Sequence, residues 1–181
     1  MHRKQFPNLL IIAGSGRKVG KTFLALAVLR FFSEKFPLVA LKISPHIHDS
    51  IGRARLVASS EGFRIFQEME THPKNSGQFL EAGALQAFFM ETDDSHLAEA
   101  FELFCRECNP MNHPVICESG ALGNLVRPGL LIFISHSNAD LQGHKLDAMN
   151  QADMVFPAKN FSTREIISKM DFSENKWHLI S

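Results

Sequence analysis

Short apolar runs alternate with stretches of helical periodicity along the chain. Residues 9–13 (Leu-Leu-Ile-Ile-Ala) are apolar at every position and close on Gly14, as a strand covered on both faces would be. Residues 22–36 follow, apolar on nearly every side, with Arg30, Glu34 and Lys35 gathered late and Pro37 as the stop. A helix of that kind belongs against a sheet, not in water. Strand-like runs recur at 38–43, 85–91, 115–118, 130–135, 154–157 and 177–180, with 63–68 as an edge candidate. Residues 95–108 set Leu97, Ala100, Phe101, Phe104 and Cys108 on one helical face, with Asp93 or Asp94 available as cap. Further helices are expected near 141–151 and from Thr163. Strands alternating with helices predict an α/β fold, three layers around a mostly parallel central sheet. No repeat, low-complexity tract or linker interrupts residues 1–181, so one domain is expected.

Composition narrows the function. Of 181 residues, 45% are hydrophobic and 21% charged, as in ordinary globular domains. Lys plus Arg equals Asp plus Glu at 19 each, and the zero net charge argues against a nucleic-acid footprint or an electrostatic membrane anchor. The apolar run at 9–13 is far shorter than a membrane span and lacks a small-residue cleavage site after it, so a cytoplasmic location is expected. Three cysteines, Cys105, Cys108 and Cys117, make no disulfide framework.

The sharpest signal lies between the first strand and the first helix. Gly14, Ser15, Gly16, Arg17, Lys18, Val19, Gly20, Lys21 and Thr22 form a glycine-rich loop ending in Gly-Lys-Thr, where a phosphate-binding P-loop belongs. Backbone N–H groups of such a loop, with those of the helix's first turn, point at phosphate oxygens. Lys21 then reaches the β- and γ-phosphates, and the Thr22 hydroxyl takes a Mg2+ position. Strict spacing places glycine where Ser15 stands. A dinucleotide-binding fingerprint is excluded, because Val19 occupies its third glycine position. The motif predicts a three-layer P-loop NTPase fold binding ATP or GTP with Mg2+.

The loop resembles that of dethiobiotin synthetase, which also sets its first glycine six residues before the glycine of Gly-Lys-Thr, with a valine between. Lys42 resembles that family's lysine contacting substrate and phosphate. Glu118, in Cys117-Glu118-Ser119-Gly120-Ala121-Leu122-Gly123, resembles its metal-holding glutamate. A second resemblance is to the molybdopterin-guanine dinucleotide biosynthesis protein B family. It rests on Lys42-Ile43-Ser44-Pro45-His46-Ile47-His48-Asp49, on Lys74-Asn75-Ser76 and on Glu81-Ala82-Gly83-Ala84. The first resemblance implies phosphoryl transfer to an unidentified small molecule, with Lys21 and Lys42 as catalytic cations and Thr22 and Glu118 on the metal. The second implies a GTP-binding accessory protein that hydrolyses slowly.

Other clusters are read more plainly. His46 and His48 share one side of an extended chain and, with Asp49, face either a metal or a substrate phosphate, or form a polar rim; Asp49 is also a candidate second Mg2+ contact. Cys105 and Cys108 form a single Cys-x-x-Cys pair without a second, more in keeping with small buried hydrophobes than with zinc. Ser135-His136-Ser137 lacks the glycines of a nucleophile elbow, and Asp140 and His144 are expected to be solvated at helical spacing. Asn160 follows the 154–157 run, where an amide can pair with a base edge or occupy a turn. A homodimer stays open.

Overall fold

A computed structural model describes residues 3–45, 54–72, 76–136 and 140–180. In chain order the elements are β1 (Lys4–Gly14), α1 (Lys21–Phe32), β2 (Val39–Ser44), β3 (Arg55–Ser60), β4 (Phe63–Gln67), α2 (Gly77–Glu81), β5 (Gln86–Thr92) and α3 (Leu97–Cys108). They continue as β6 (Val115–Glu118), α4 (Leu122–Leu125), β7 (Val126–Ser135), α5 (His144–Asn150), β8 (Met154–Pro157), α6 (Thr163–Ser168), β9 (Met170–Ser173) and β10 (Lys176–Leu179).

Among the described residues, eight strands form one sheet in the order β3-β4-β5-β2-β6-β1-β7-β8, while β9 and β10 make a separate hairpin. All neighbours in the order from β5 to β8 run parallel, and the β3–β4 and β4–β5 pairs are antiparallel. The fold is therefore α/β with a mostly parallel sheet.

The apolar runs do what continuous hydrophobicity demands, feeding both faces of the sheet at a period of two. On β1, Leu10 and Ile12 pack with α1, Phe79 of α2, Ile166 of α6 and the hairpin, while Leu9, Ile11 and Ala13 pack with α3, Leu122 and Ala148. Each such side chain, fully buried, contributes about 1.5–3 kcal/mol of transfer free energy. On the α1 side the core closes with Trp177, fully buried, edge-on to Phe32 at 4.9 Å and tilted on Phe172 at 5.1 Å.

Several elements differ from expectation. β1 starts at Lys4, not Leu9, and passes through Pro7; the pairing with β7 slips between Phe6 and Leu10, where a strand tolerates proline. A Cβ on Gly129 would run into the Pro7 carbonyl, so a glycine accommodates the slip. α1 ends at Phe32, and a turn brings Phe36 back onto Phe32 and Phe172. β3 was not anticipated and takes the sheet edge expected of the 63–68 run. Asp93 caps the turn that leads into α3, accepting from the Ser95 and His96 N–H groups, while the helix itself begins after His96. α5 starts only at His144, which leaves Asp140 outside the helix and removes their helical spacing. Among the described residues no helix is long and apolar enough to cross a membrane.

Strand register fixes what meets at the sheet's upper edge. Ile12 is level with Glu118, and Glu118 is level with Lys42. The carboxyl ends of β1, β6 and β2 therefore deliver the 14–22 loop, a carboxylate and an ammonium to one place, as open parallel sheets do at their ligand crevices.

Candidate functional site

The loop after β1 is held from behind. Ser15 donates its N–H to the Ile134 carbonyl at 2.9 Å, and its hydroxyl accepts the His136 N–H at 3.0 Å. Ser15 is thus an anchor to β7, which gives a physical reason for serine at this position. A Cβ at Gly14 would lie 2.7 Å from the Ile134 oxygen, so only glycine lets β1 pass. Gly20 has φ of 108°, a conformation that L side chains rarely adopt, and the Phe161 ring fills the space a Cβ would take. Val19 is buried in the core and clamps the loop from below. Arg17 and Lys18 stay exposed at its tip, Lys18 with φ of 58°.

The Lys21 side chain curls back over this loop and donates to the Gly16 carbonyl at 2.6 Å. Burial holds its ammonium below the usual lysine range; Glu118 works against that shift, while Lys42 and Lys145 add to it. Beside it the Thr22 hydroxyl donates to Glu118 Oε2 at 2.7 Å. Lys42 Nζ stands 3.4 Å from the same carboxylate oxygen and 3.5 Å from Thr22 Oγ1. Glu118 is buried, so its charge is compensated by one hydroxyl and one ammonium instead of water.

These groups open onto a cavity of about 590 Å³ lined by Gly14, Arg17, Lys21, Thr22, Lys42 and Glu118, with Asp94, Leu97, His144 and Lys145 on other parts of its wall. No family model, curated protein or solved structure matches the chain. What can be said of the site therefore rests on its own chemistry.

The structure brings together Gly14, Gly16, Arg17, Lys18, Lys21, Thr22, Lys42 and Glu118 in one lining. Asn160 stands apart from it, in a left-handed turn with φ of 69°, although its neighbour Phe161 supports Gly20. His46, His48 and Asp49 lie outside the described residues, as do Lys74, Asn75 and Ser137. Ser76 is fully buried and donates to Glu68, whose other oxygen meets His72 Nε2 at 3.0 Å; this trio fastens the approach to α2. Ala82 and Ala84 pack into the core, not the cavity.

The sequence carries no site signal for Lys145 or Thr92 and offers Asp94 only as a helix cap; His144 is exposed, as expected, and also lines the cavity. They reach the cavity from α5, from the last residue of β5 and from the β5–α3 connection, segments distant in sequence. The only signal that could have found them is topological: they follow the carboxyl ends of β5 and β7.

Burial governs the chemistry of the cysteine pair. Cys105 and Cys108 lie half-buried on α3, and burial pushes their thiols up to about 11 and about 12. Among the described residues no group of three or more His, Cys, Asp or Glu side chains is placed to hold a metal ion. Alkylation of both thiols by iodoacetamide at pH 8 is expected to run roughly 100-fold slower in the folded protein than in urea, since the thiolate is the nucleophile. Equal rates in both states would show that the helix leaves them free. The linkage sign follows: folded-state thiol pKa values above the unfolded value mean stability lost as pH rises from about 9 toward 12.

Proposed function

We propose that the chain binds a Mg2+-nucleoside triphosphate at the 14–22 loop and acts as a P-loop NTPase or a phosphoryl transferase to a small molecule. The observation that carries this reading is the Thr22–Glu118 hydrogen bond of 2.7 Å beside Lys21, at the mouth of a cavity entered by a glycine-rich loop. A hydroxyl and a carboxylate converging from a helix start and a neighbouring strand end are two oxygen donors, the ligand type that Mg2+ takes. The donor set fits the ion, and Thr22 and Glu118 are the residues that would hold it. When bound, Mg2+ neutralises charge on the phosphate oxygens.

The chain's own residues supply the rest. Lys21 exchanges the Gly16 carbonyl for phosphate oxygens, a charge-assisted bond stronger than the one it leaves. Loop N–H groups orient the phosphates, and Lys42, already level with Glu118, holds charge on the same group or on a substrate anion. If a carboxylate of the substrate attacks, as the resemblance to dethiobiotin synthetase implies, positioning and electrostatics carry the chemistry and no strong base is required.

Glu118→Gln tests the metal assignment. Affinity for a nucleotide analogue measured with Mg2+ is expected to fall at least tenfold while affinity in EDTA stays within about twofold, because the amide keeps the shape and loses the charge. A variant that retains the full Mg2+ enhancement would remove Glu118 from the metal site. Turnover then separates the two resemblances. Hydrolysis that rises sharply with a small-molecule acceptor fits a transferase; slow hydrolysis that answers only to a protein partner fits a GTP-binding accessory protein resembling the protein B family.

A further inference from the structure

Four lysines line the cavity, and they are not equally engaged. Lys21 donates to Gly16 and Lys42 faces Glu118, whereas Lys145, and Lys18 at the exposed tip of the loop, have no hydrogen-bond or ion-pair partner among the described residues. Lys145 is half-buried and its backbone is fixed. Asn124 of α4 donates to the carbonyl of the adjacent His144 at 2.8 Å, and Ala148, further along α5, is buried in the same core as Leu122. α4 is in turn started by Ser119, whose hydroxyl accepts the Leu122 N–H at 3.1 Å directly after Glu118. Lys145 is thereby tied, through α4, to the strand end that carries Glu118.

Charge points the same way. The cavity is lined by five basic side chains, Arg17, Lys18, Lys21, Lys42 and Lys145, against two acidic ones, Asp94 and Glu118. Lys145 and Lys21 line the same cavity. Two ammonium groups facing one cavity repel each other, and an anion between them relieves both. Of two ligands alike in shape, such a site favours the more negative. Lys21, Thr22 and Glu118 mark the end of the loop where the outer phosphates belong, and Lys145 lines the same cavity as these three.

We propose that Lys145 binds the terminal phosphoryl group of a nucleoside triphosphate and gives the site its preference for triphosphates over diphosphates. The inference rests on the phosphate-binding reading of the 14–22 loop. The test is calorimetric titration in Mg2+ of wild type, Lys145→Gln and Lys145→Arg. The ligands are the β,γ-imido analogues of ATP and GTP and the matching diphosphates, with thermal unfolding as a check on folding. For whichever base binds, Lys145→Gln is expected to weaken the imidotriphosphate roughly tenfold and the diphosphate less than twofold, with Lys145→Arg recovering most of the loss. Equal weakening of both ligands, or none, would overturn the role of Lys145 while leaving the loop assignment intact. A folded wild type that binds no nucleotide would overturn the loop assignment, and this inference with it.

Discussion

Lys21→Ala is expected to abolish measurable nucleotide binding while leaving the fold intact. The side chain donates only to the Gly16 carbonyl, at 2.6 Å, so no core contact is lost with it. Its ammonium is destabilised by burial and by the neighbouring Lys42 and Lys145. A base whose folded-state pKa lies below its unfolded value binds fewer protons folded than unfolded in that window, so it costs stability below the folded pKa and the cost fades as pH rises toward 10.5. Removing it at neutral pH therefore leaves the protein no less stable. For a bound triphosphate the outcome is opposite. Two or more charge-assisted hydrogen bonds, about 1.5–3 kcal/mol each, disappear together. Affinity should drop roughly 100-fold or more, beyond the range of ordinary calorimetry. The variant should unfold at a temperature within a few degrees of wild type, and unchanged affinity would sink the assignment of the loop.

Trp177→Ala should be the most damaging single change to stability. The indole has no solvent exposure and sits between Phe32 of α1 and Phe172 of β9, so its loss empties the seam between helix and hairpin. A buried aromatic cut to alanine costs about 3–5 kcal/mol, because the surroundings collapse only in part. Trp177→Phe keeps the edge-on contact with Phe32 and also relieves a buried indole N–H that has no partner, so it should cost much less. Urea denaturation followed by far-UV circular dichroism compares all three proteins, the sequence having no second tryptophan. A loss below about 1 kcal/mol for Trp177→Ala would mean that the hairpin adds little to the core.

What the sequence made legible follows from how each element earns its stability. β5 and β6 are buried and apolar or nearly so, and β8, apolar at every position though only Met154 is buried, coincides with the 154–157 run at both ends. α3 carries a clean apolar stripe and ends at Cys108 as its periodicity predicts. β3 was invisible because Arg55 to Ser60 is half-exposed throughout and has no apolar face to alternate. Its strand character comes from hydrogen bonds to β4, a tertiary cause. β9 and α2 are too short for periodicity to register, and each exists because Phe172 or Phe79 is needed in the core. Pro7 hid the first part of β1, since a proline argues against a strand unless a slip such as the one opposite Gly129 absorbs it.

The candidate site divides in the same way. The loop was legible because its residues are contiguous, and Lys42 and Glu118 because each closes an apolar run. Lys145 comes from a segment with no local signature, and only the strand order carries it to the cavity.

The interior position of β1, between β6 and β7, sets a timetable for assembly. Its pairing edges are claimed by β6 and β7, contributed by residues 115–118 and 126–135, more than 100 positions later in the chain. During translation β1 and α1 emerge long before either partner exists, whereas β3, β4 and β5 can pair as soon as they are made. The antiparallel margin is thus available as an early local platform, while β1 waits for residues 115–135. Until β7 arrives, the 14–22 loop also lacks the Ile134 carbonyl and His136 N–H that anchor Ser15. Ligand capture by that loop should therefore be a late event, possible only once the two distant halves of the chain have joined.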